Sequence, residues 1–170
     1  MQQKTTYYIR TKFVKIIGPE LQGKTTFAKL IQKSFSGKSA LISHNPNEKE
    51  EQRDYKLELA SEVSAASRDS SNELVIVDTR FFMKKEIEDF FNTLKYFMKG
   101  ISQEDFTLIK MNVSYDRNME YADKAGRSNK ARIIDQRSKY AGEGGSLYSK
   151  CATNEMHFFD NRAFKIEFVA

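Results

Sequence analysis

Residues Gly18-Pro19-Glu20-Leu21-Gln22-Gly23-Lys24-Thr25, followed by Thr26, form the most informative pattern in this 170-residue chain. They fit G-x-x-x-x-G-K-[ST], a glycine-bounded loop between a strand and a helix that is known as the P-loop. Residues 12–17, ahead of the loop, are mostly apolar and predict a strand. Residues 26–33, after it, have the apolar spacing of an amphipathic helix. The surroundings of the loop therefore agree with the pattern.

The residue types in this loop suit the close approach of a triphosphate. Gly18 and Gly23 leave the backbone free of side chains and open to unusual dihedral angles. Successive backbone N–H groups can then form a concave anion site, and the following helix dipole adds to its attraction. Lys24 is expected to reach the β- and γ-phosphates of ATP, and the Thr25 hydroxyl to bind Mg2+. The predicted nucleotide-binding residues are Gly18, Pro19, Glu20, Leu21, Gln22, Gly23, Lys24, Thr25 and Thr26.

One alternative to this interpretation needs no ligand. A glycine-bounded turn that carries an exposed lysine would give the same residues at the same spacing.

Residues 74–78, Leu-Val-Ile-Val-Asp, predict a second part of the site. Four successive apolar residues predict a strand that is buried on both faces. Asp78 stands at the carboxyl end of this strand, where ligands bind in open α/β sheets, and a carboxylate there can hold Mg2+ directly or through water. Asp78 follows Lys24 by 54 positions (78 − 24). We therefore expect Thr25 and Asp78 to hold the metal ion together, rather than Asp78 to cap a helix.

Strands and helices alternate between residues 10 and 113. This alternation predicts an α/β fold, a three-layer sandwich with a mainly parallel sheet, in a single domain of residues 1–170. Residues 7–9 either start the first strand early or form a separate lead-in. The predicted strands are 7–17, 39–43, 74–78, 106–113, 156–160 and 163–169, the last two paired through a turn at 161–162. The predicted helices are 24–36, 48–67 as an exposed helix, 82–100, and two short helices around Gly126, followed by a loop at 141–146.

Residues 115–140 are richer in basic side chains than the rest of the chain. Phosphoryl transfer spreads negative charge over the phosphate oxygens, and arginines that close over a triphosphate stabilise that charge and exclude water. We therefore predict a basic helical lid here. The alternative is a solvated basic face with internal ion pairs to Asp116, Glu120, Asp123 and Asp135. The basic residues are Arg117, Lys124, Arg127, Lys130, Arg132, Arg137 and Lys139.

Composition narrows the class of protein without identifying a substrate. The net charge of +5 and the pI of about 9.2 permit phosphate-rich partners such as nucleotides or nucleic acid. The single cysteine, Cys151, excludes an intrachain disulfide and is consistent with a reducing compartment. There is no apolar run of bilayer length and no apolar leader at residues 1–6, so we expect a cytoplasmic protein without membrane association.

Together these segments resemble the adenylate-kinase-like and polynucleotide-kinase-like branch of the P-loop kinases. Besides the P-loop, Val77-Asp78-Thr79 is similar to the Asp-Thr strand ending of polynucleotide 5′-hydroxyl kinases, and residues 113–118, 126–127 and 137–140 are similar to their strand-to-lid segment. The resemblance covers residues 12–140 loosely, and only the P-loop is specific. It implies a P-loop NTPase fold in which Arg127, with Arg117, clamps the phosphates.

The chain departs from this family in two places. Leu21 and Gln22 stand where these kinases usually carry another glycine. Polynucleotide kinases place a catalytic Asp shortly after the second strand, where this chain reads His44-Asn45-Pro46-Asn47. Asp54, in a stretch that looks like the family's Arg-Asp-Tyr, is the candidate base, and His44 is a candidate for lining the site. Nucleoside monophosphate kinases need no such base, because their acceptor is already an anion.

The sequence therefore predicts an ATP- and Mg2+-dependent phosphotransferase, a P-loop kinase that acts on a nucleotide or on a nucleic-acid hydroxyl. The alternative is a non-kinase P-loop ATPase or nucleotide-binding module that acts through nucleic acid or protein partners. The acceptor, the donor base and the oligomeric state stay open. The predicted catalytic residues are Lys24, Asp78, Arg127, Arg117 and Asp54.

Overall fold

A computed structural model describes residues 5–18, 23–44, 55–79, 84–111, 115–126, 130–142, 156–158 and 164–169. The strands in these ranges are β1 (Thr5–Ile9), β2 (Phe13–Ile17), β3 (Ser39–His44), β4 (Leu74–Thr79), β5 (Phe106–Met111), β6 (Met156–Phe158) and β7 (Phe164–Phe168). The helices are α1 (Lys24–Ser34), α2 (Lys56–Arg68), α3 (Lys84–Phe97), α4 (Tyr115–Lys124) and α5 (Lys130–Gly142), with a short 3₁₀ turn at Gln103–Asp105.

The main sheet has five strands in the order β3-β4-β2-β5-β6, and every neighbouring pair is parallel. β1 and β7 form a separate parallel pair. Because all strands of the main sheet run the same way, their carboxyl ends meet at one edge. The sheet therefore brings the ends of β2, β3 and β4 together, and the predicted mainly parallel sheet is confirmed.

Side chains alternate between the two faces of this sheet, as the pleat of a strand requires. Phe13 and Ile17 of β2 belong to the cluster that α2 and α3 cover, whereas Val14 and Ile16 belong to the cluster that α1 covers. All four side chains are buried. Helices on both faces of a buried sheet confirm the predicted three-layer α/β fold.

The two ends of the described chain differ from the predicted pairing. Residues 7–9 belong to the separate strand β1, so the lead-in interpretation is the correct one. The prediction that the last two strands pair with each other is wrong, because β6 pairs with β5 and β7 pairs with β1. Phe168 of β7 packs edge-on against Phe35, with ring centroids 4.9 Å apart. Burial of this apolar surface against α1 favours the distant pairing over a local turn.

The helices agree with the predicted ones in number and place, with one correction. α2 is not an exposed helix, since Tyr55, Leu59 and Val63, the residues spaced at i, i+4 and i+8, are buried in the core. Residues 45–54 lie outside the described part. α4 and α5 flank Gly126, which has a φ of +68°, and α5 continues to residue 142, into the predicted loop.

No helix among the described residues has both the length and the apolar character to cross a membrane.

Candidate functional site

Both glycines that bound the P-loop hold backbone conformations that suit glycine. Gly18 follows β2 with a φ of +148°, and a Cβ on it would lie 3.0 Å from the Met111 carbonyl oxygen on β5. Gly23 precedes α1 in the left-handed region, at φ 80° and ψ 22°. The loop therefore leaves and re-enters regular structure at positions where a side chain would be strained. Residues 19–22, also predicted to bind nucleotide, lie outside the described part.

Lys24 is the first residue of α1, and its side chain turns back across the loop. Its Nζ donates a hydrogen bond to the Gly18 carbonyl oxygen at 3.1 Å, and the residue is buried. Lys24 is therefore buried, and not exposed as the alternative of a simple glycine-bounded turn expects. Thr26, in the same first turn, is exposed. This arrangement puts a cation at the amino-terminal end of α1, where the helix dipole also favours an anion.

Thr25 and Asp78 meet at the carboxyl edge of the sheet. The Thr25 Oγ1 donates to Asp78 Oδ2 at 2.5 Å, and Asp78 is fully buried. Ser43 donates to the same oxygen at 2.9 Å, from the position on β3 that pairs with Asp78 in the sheet register. Two hydroxyl groups thus orient one carboxylate. Ser43 was missed in the sequence, where its only signal is its place near the end of a predicted strand.

The oxygen atoms of Thr25 and Asp78 fit Mg2+. This ion prefers oxygen ligands and usually takes one or two from the protein, completing its shell with water and substrate phosphates. The described residues contain no group of three or more His, Cys, Asp or Glu side chains that could hold a metal ion. A metal ion at this edge would therefore depend on the Thr25 hydroxyl, the Asp78 carboxylate and phosphate oxygens. The two protein groups lie beside the start of the P-loop helix.

A buried lysine that no sequence pattern indicated lies on the other face of the sheet, the face covered by α2 and α3. Lys15 of β2 is fully buried, and its Nζ donates to Thr79 Oγ1 at 2.8 Å. The same Nζ lies 4.6 Å from the centroid of the Phe90 ring. Since Thr79 directly follows Asp78, this cation adds positive potential next to the carboxylate.

The predicted lid is partly described, and α4 lies against the start of the P-loop helix. The Tyr121 ring is 3.6 Å from the point where a Cβ on Gly23 would stand. Arg117 on the same helix lies 5.7 Å from the Tyr121 ring centroid and 3.5 Å from a Glu120 carboxylate oxygen. Arg117 is therefore one side chain away from the loop. Two other predicted residues, Arg127 and Asp54, lie outside the described part.

α4 and α5 are joined by a polar contact at their interface. Arg137 of α5 donates to the Asn118 side-chain oxygen at 3.3 Å, and Asn118 is fully buried. The Arg137 guanidinium also lies 6.0 Å from the Tyr115 ring centroid. The internal ion pairs that the sequence allowed are present as well, for instance between Lys130 and Asp123 at 2.6 Å. The basic residues of this segment are thus partly held by acidic neighbours within it.

Comparison with known proteins gives a likeness in structure alone. No protein-family model matches the chain, and no curated protein matches it in sequence. Among solved structures, the tunicamycin resistance protein of Deinococcus radiodurans is similar, with a TM-score of 0.60 and 15% identity over 84% of this chain and 85% of that one. Likeness at this identity shows the fold and leaves the activity open. The chain thus has a mixed α/β fold with a mainly parallel sheet, and the tunicamycin resistance protein is similar to it in fold.

Proposed function

We propose that this protein is an ATP- and Mg2+-dependent phosphotransferase that acts on a nucleotide or a nucleic-acid hydroxyl. The observation that carries the proposal is the contact between Thr25 Oγ1 and Asp78 Oδ2. It joins the first turn of the P-loop helix to the end of β4, so Thr25 and Asp78 would hold a metal ion beside a bound nucleotide and supply charge to offset that of its phosphates.

Each residue of this site has a role that follows from its chemistry. Lys24 binds the β- and γ-phosphates as a compact charge, and Gly18 and Gly23 let the loop backbone approach the same oxygens. Bound Mg2+ would neutralise charge on the β- and γ-phosphates. Thr25 and Asp78 would hold the ion, and Ser43 keeps the carboxylate in place through its hydrogen bond. Together these groups orient the triphosphate and stabilise the charge that develops during transfer.

Arg117, Arg127 and Asp54, which the sequence also predicts, complete the proposal. Arg117 lies beside Tyr121, whose ring lies against Gly23, and this neighbourhood supports a role for its charge near the loop. Arg127 is assigned to the same clamp through the resemblance to P-loop kinases, and Asp54 is a candidate base on that ground too. A lid of this kind lowers the concentration of water around the γ-phosphate and so favours transfer over hydrolysis.

The proposal is tested by transfer of label from γ-labelled ATP with Mg2+. The pooled acceptors are nucleosides, nucleoside monophosphates, 5′-hydroxyl oligonucleotides and hydroxymethylated DNA. We expect label in at least one pool. Lys24→Ala should lower the rate by about 10²-fold or more, because it removes charge that is stabilising in the transition state. Lys29→Ala, an exposed lysine on the same helix, should leave the rate unchanged. Label released only as inorganic phosphate would support the ATPase alternative instead.

A further inference from the structure

His44 ends β3 and lies on the sheet face covered by α2 and α3, away from Thr25. Its Nε2 is 2.9 Å from Glu62 Oε2 on α2, and its ring meets the Tyr55 ring edge-on, with centroids 5.9 Å apart. The His44 side chain is 14% exposed and that of Glu62 is 53% exposed. The imidazole is therefore held by two neighbours and still reachable from solvent.

The partner of His44 determines which ring nitrogen carries the proton. An ionised carboxylate only accepts hydrogen bonds, so the Glu62 contact assigns the hydrogen to Nε2. In the neutral ring Nδ1 is then the acceptor. Among the described residues, Nδ1 has no hydrogen-bond partner. The pair thus has the arrangement of a carboxylate-oriented base, in which the acid fixes the tautomer and stabilises the imidazolium that forms.

The sheet register places His44 on the strand next to Asp78, the proposed metal ligand. In the sheet, His44 of β3 pairs with Thr79 of β4, and Ser43 pairs with Asp78. His44 is therefore on the strand next to Asp78, one residue beyond the position that pairs with it. It also stands at the carboxyl edge, where ligands of parallel sheets bind. His44 is therefore at the same edge of the sheet as Asp78, on the face covered by α2.

We propose that His44 is the general base of the transfer reaction, that Glu62 positions it, and that the acceptor is a hydroxyl group. The inference rests on the proposed phosphotransferase function and narrows its acceptor. Nδ1 takes the hydroxyl proton while the hydroxyl oxygen bonds to the γ-phosphorus. The bond from that phosphorus to the β,γ-bridging oxygen breaks, and ADP leaves with the electron pair. The imidazolium, paired with Glu62, then returns its proton to water.

If His44 is the general base, the acceptor is a hydroxyl group and not a phosphate, a choice that the sequence left open. A phosphate acceptor arrives ionised and gives His44 no proton to remove. A hydroxyl acceptor must lose its proton, and a positioned base contributes about 10²- to 10⁴-fold to such a step. The hydroxyl of a nucleoside and that of a nucleic acid share this chemistry, and the pooled acceptors distinguish them.

The decisive variant is His44→Gln. Its side-chain amide can still donate to Glu62 from near the position of Nε2, but it carries no basic nitrogen. We expect kcat for the hydroxyl acceptor to fall by about 10²-fold or more, with KM for ATP unchanged. His44→Ala should show a similar loss, and imidazole added to the buffer should partly restore its rate. A residue with only a structural role would not be rescued in this way.

Two matched variants test the positioning role. Glu62→Gln should lower kcat less than His44→Gln does, while Glu58→Gln, an exposed acid one turn earlier on α2, should leave kcat unchanged. Asp54→Asn tests the other candidate base. Thermal unfolding and ATP binding of each variant show whether it remains folded and binds nucleotide.

The outcomes separate this inference from the proposed function. Transfer to nucleoside monophosphates alone would overturn the inference and leave the phosphotransferase standing. So would a wild-type kcat in His44→Gln, or a loss confined to Asp54→Asn. No transfer to any acceptor would overturn both proposals together.

Discussion

Gly18 is the residue where the requirement for glycine is most specific. Its φ of +148° is strained for any residue with a Cβ, and the added atom would also press on the Met111 backbone at 3.0 Å. Gly100 also has a positive φ, of +85°, but has nothing within 4 Å of an added Cβ. Gly18 therefore combines a positive φ with a close approach, whereas Gly100 has a positive φ alone.

Gly18→Ala should destabilise the protein more than Gly100→Ala does. Backbone strain of this kind costs about 1–3 kcal/mol, and the contact with Met111 adds to it at Gly18 alone. We expect a fall in Tm of at least about 2–4 °C for Gly18→Ala, a smaller one for Gly100→Ala, and weaker ATP binding only in Gly18→Ala. Thermal unfolding followed by circular dichroism, with and without ATP, measures both effects. Equal losses in the two variants would contradict the role of Met111.

Asp69, which follows α2, holds the turn that leads into β4. Ser71 donates both its hydroxyl and its backbone N–H to Asp69 Oδ1, and Lys38 Nζ lies 3.3 Å from Oδ2. The Ser71 hydroxyl, then the Ser71 N–H and Lys38, lower the pKa of the Asp69 carboxyl below its ordinary value of 3.8. A lowered pKa contributes stability that is present above the ordinary value and is lost as the pH falls through the folded-state value.

Asp69→Asn should therefore show a pH-dependent loss of stability. At neutral pH the variant lacks the charge that these donors stabilise, so we expect a small fall in Tm. As the pH falls through the folded-state pKa, which lies below 3.8, the wild-type carboxyl becomes protonated and the difference should shrink. Thermal unfolding of both proteins at neutral pH and over a series of acid pH values makes the comparison. A difference that persists unchanged in acid would contradict the assignment.

At the scale of elements, α4 and α5 are joined by the hydrogen bond between Arg137 and the buried Asn118. This contact crosses the break at Gly126 and holds the two halves of the proposed lid together. Removing a buried polar partner costs more than removing an exposed one, because the group left behind loses its hydrogen bond. The pair therefore couples α5 to α4, the helix whose Tyr121 ring lies beside Gly23.

A double-mutant cycle on Asn118→Ala and Arg137→Ala should give a coupling energy of about 0.5–1.5 kcal/mol. Unfolding by urea supplies the free energy of unfolding for the wild type, both single variants and the double variant. A second cycle of Asn118→Ala with Lys29→Ala, on α1, is the control and should be additive. Additivity in both cycles would show that the contact does not hold the helices together.

The sequence predicted the elements of this fold better than it predicted their partners. Residues 18–25 and 74–78 gave the P-loop and the buried strand, because motif and apolar runs are local signals. The partner of β7 is β1, which lies at the other end of the chain, and no local pattern indicates such a pairing. Lys15 and Ser43 were missed because a single polar residue in a strand says nothing about what its side chain contacts.

At the scale of the whole molecule, the net charge of +5 predicts a difference between two hydroxyl acceptors, a nucleic acid and a free nucleoside. A nucleic-acid acceptor brings several phosphates to a basic surface and releases counterions when it binds. A free nucleoside brings none. The dependence of KM on salt therefore distinguishes the two sources of hydroxyl.

If a 5′-hydroxyl oligonucleotide is the acceptor, its KM should rise steeply with salt. For single strands the logarithm of affinity falls with a slope of about 0.7 per phosphate contacted. The KM of a nucleoside acceptor should change little over the same range. Steady-state assays from low to moderate salt measure both. A flat profile for the oligonucleotide would indicate that the basic charge takes no part in acceptor binding.

During biosynthesis, β1 can pair with β7 only after nearly the whole chain has been made. Thr5 pairs with Phe164, which is 159 positions further along the chain (164 − 5). At about 5–20 residues per second, a ribosome needs roughly 8–30 seconds to make the intervening chain. β1 has no other strand partner in the described part of the protein. It therefore leaves the ribosome as an unpaired edge and stays open to pairing with other nascent chains until β7 has been made.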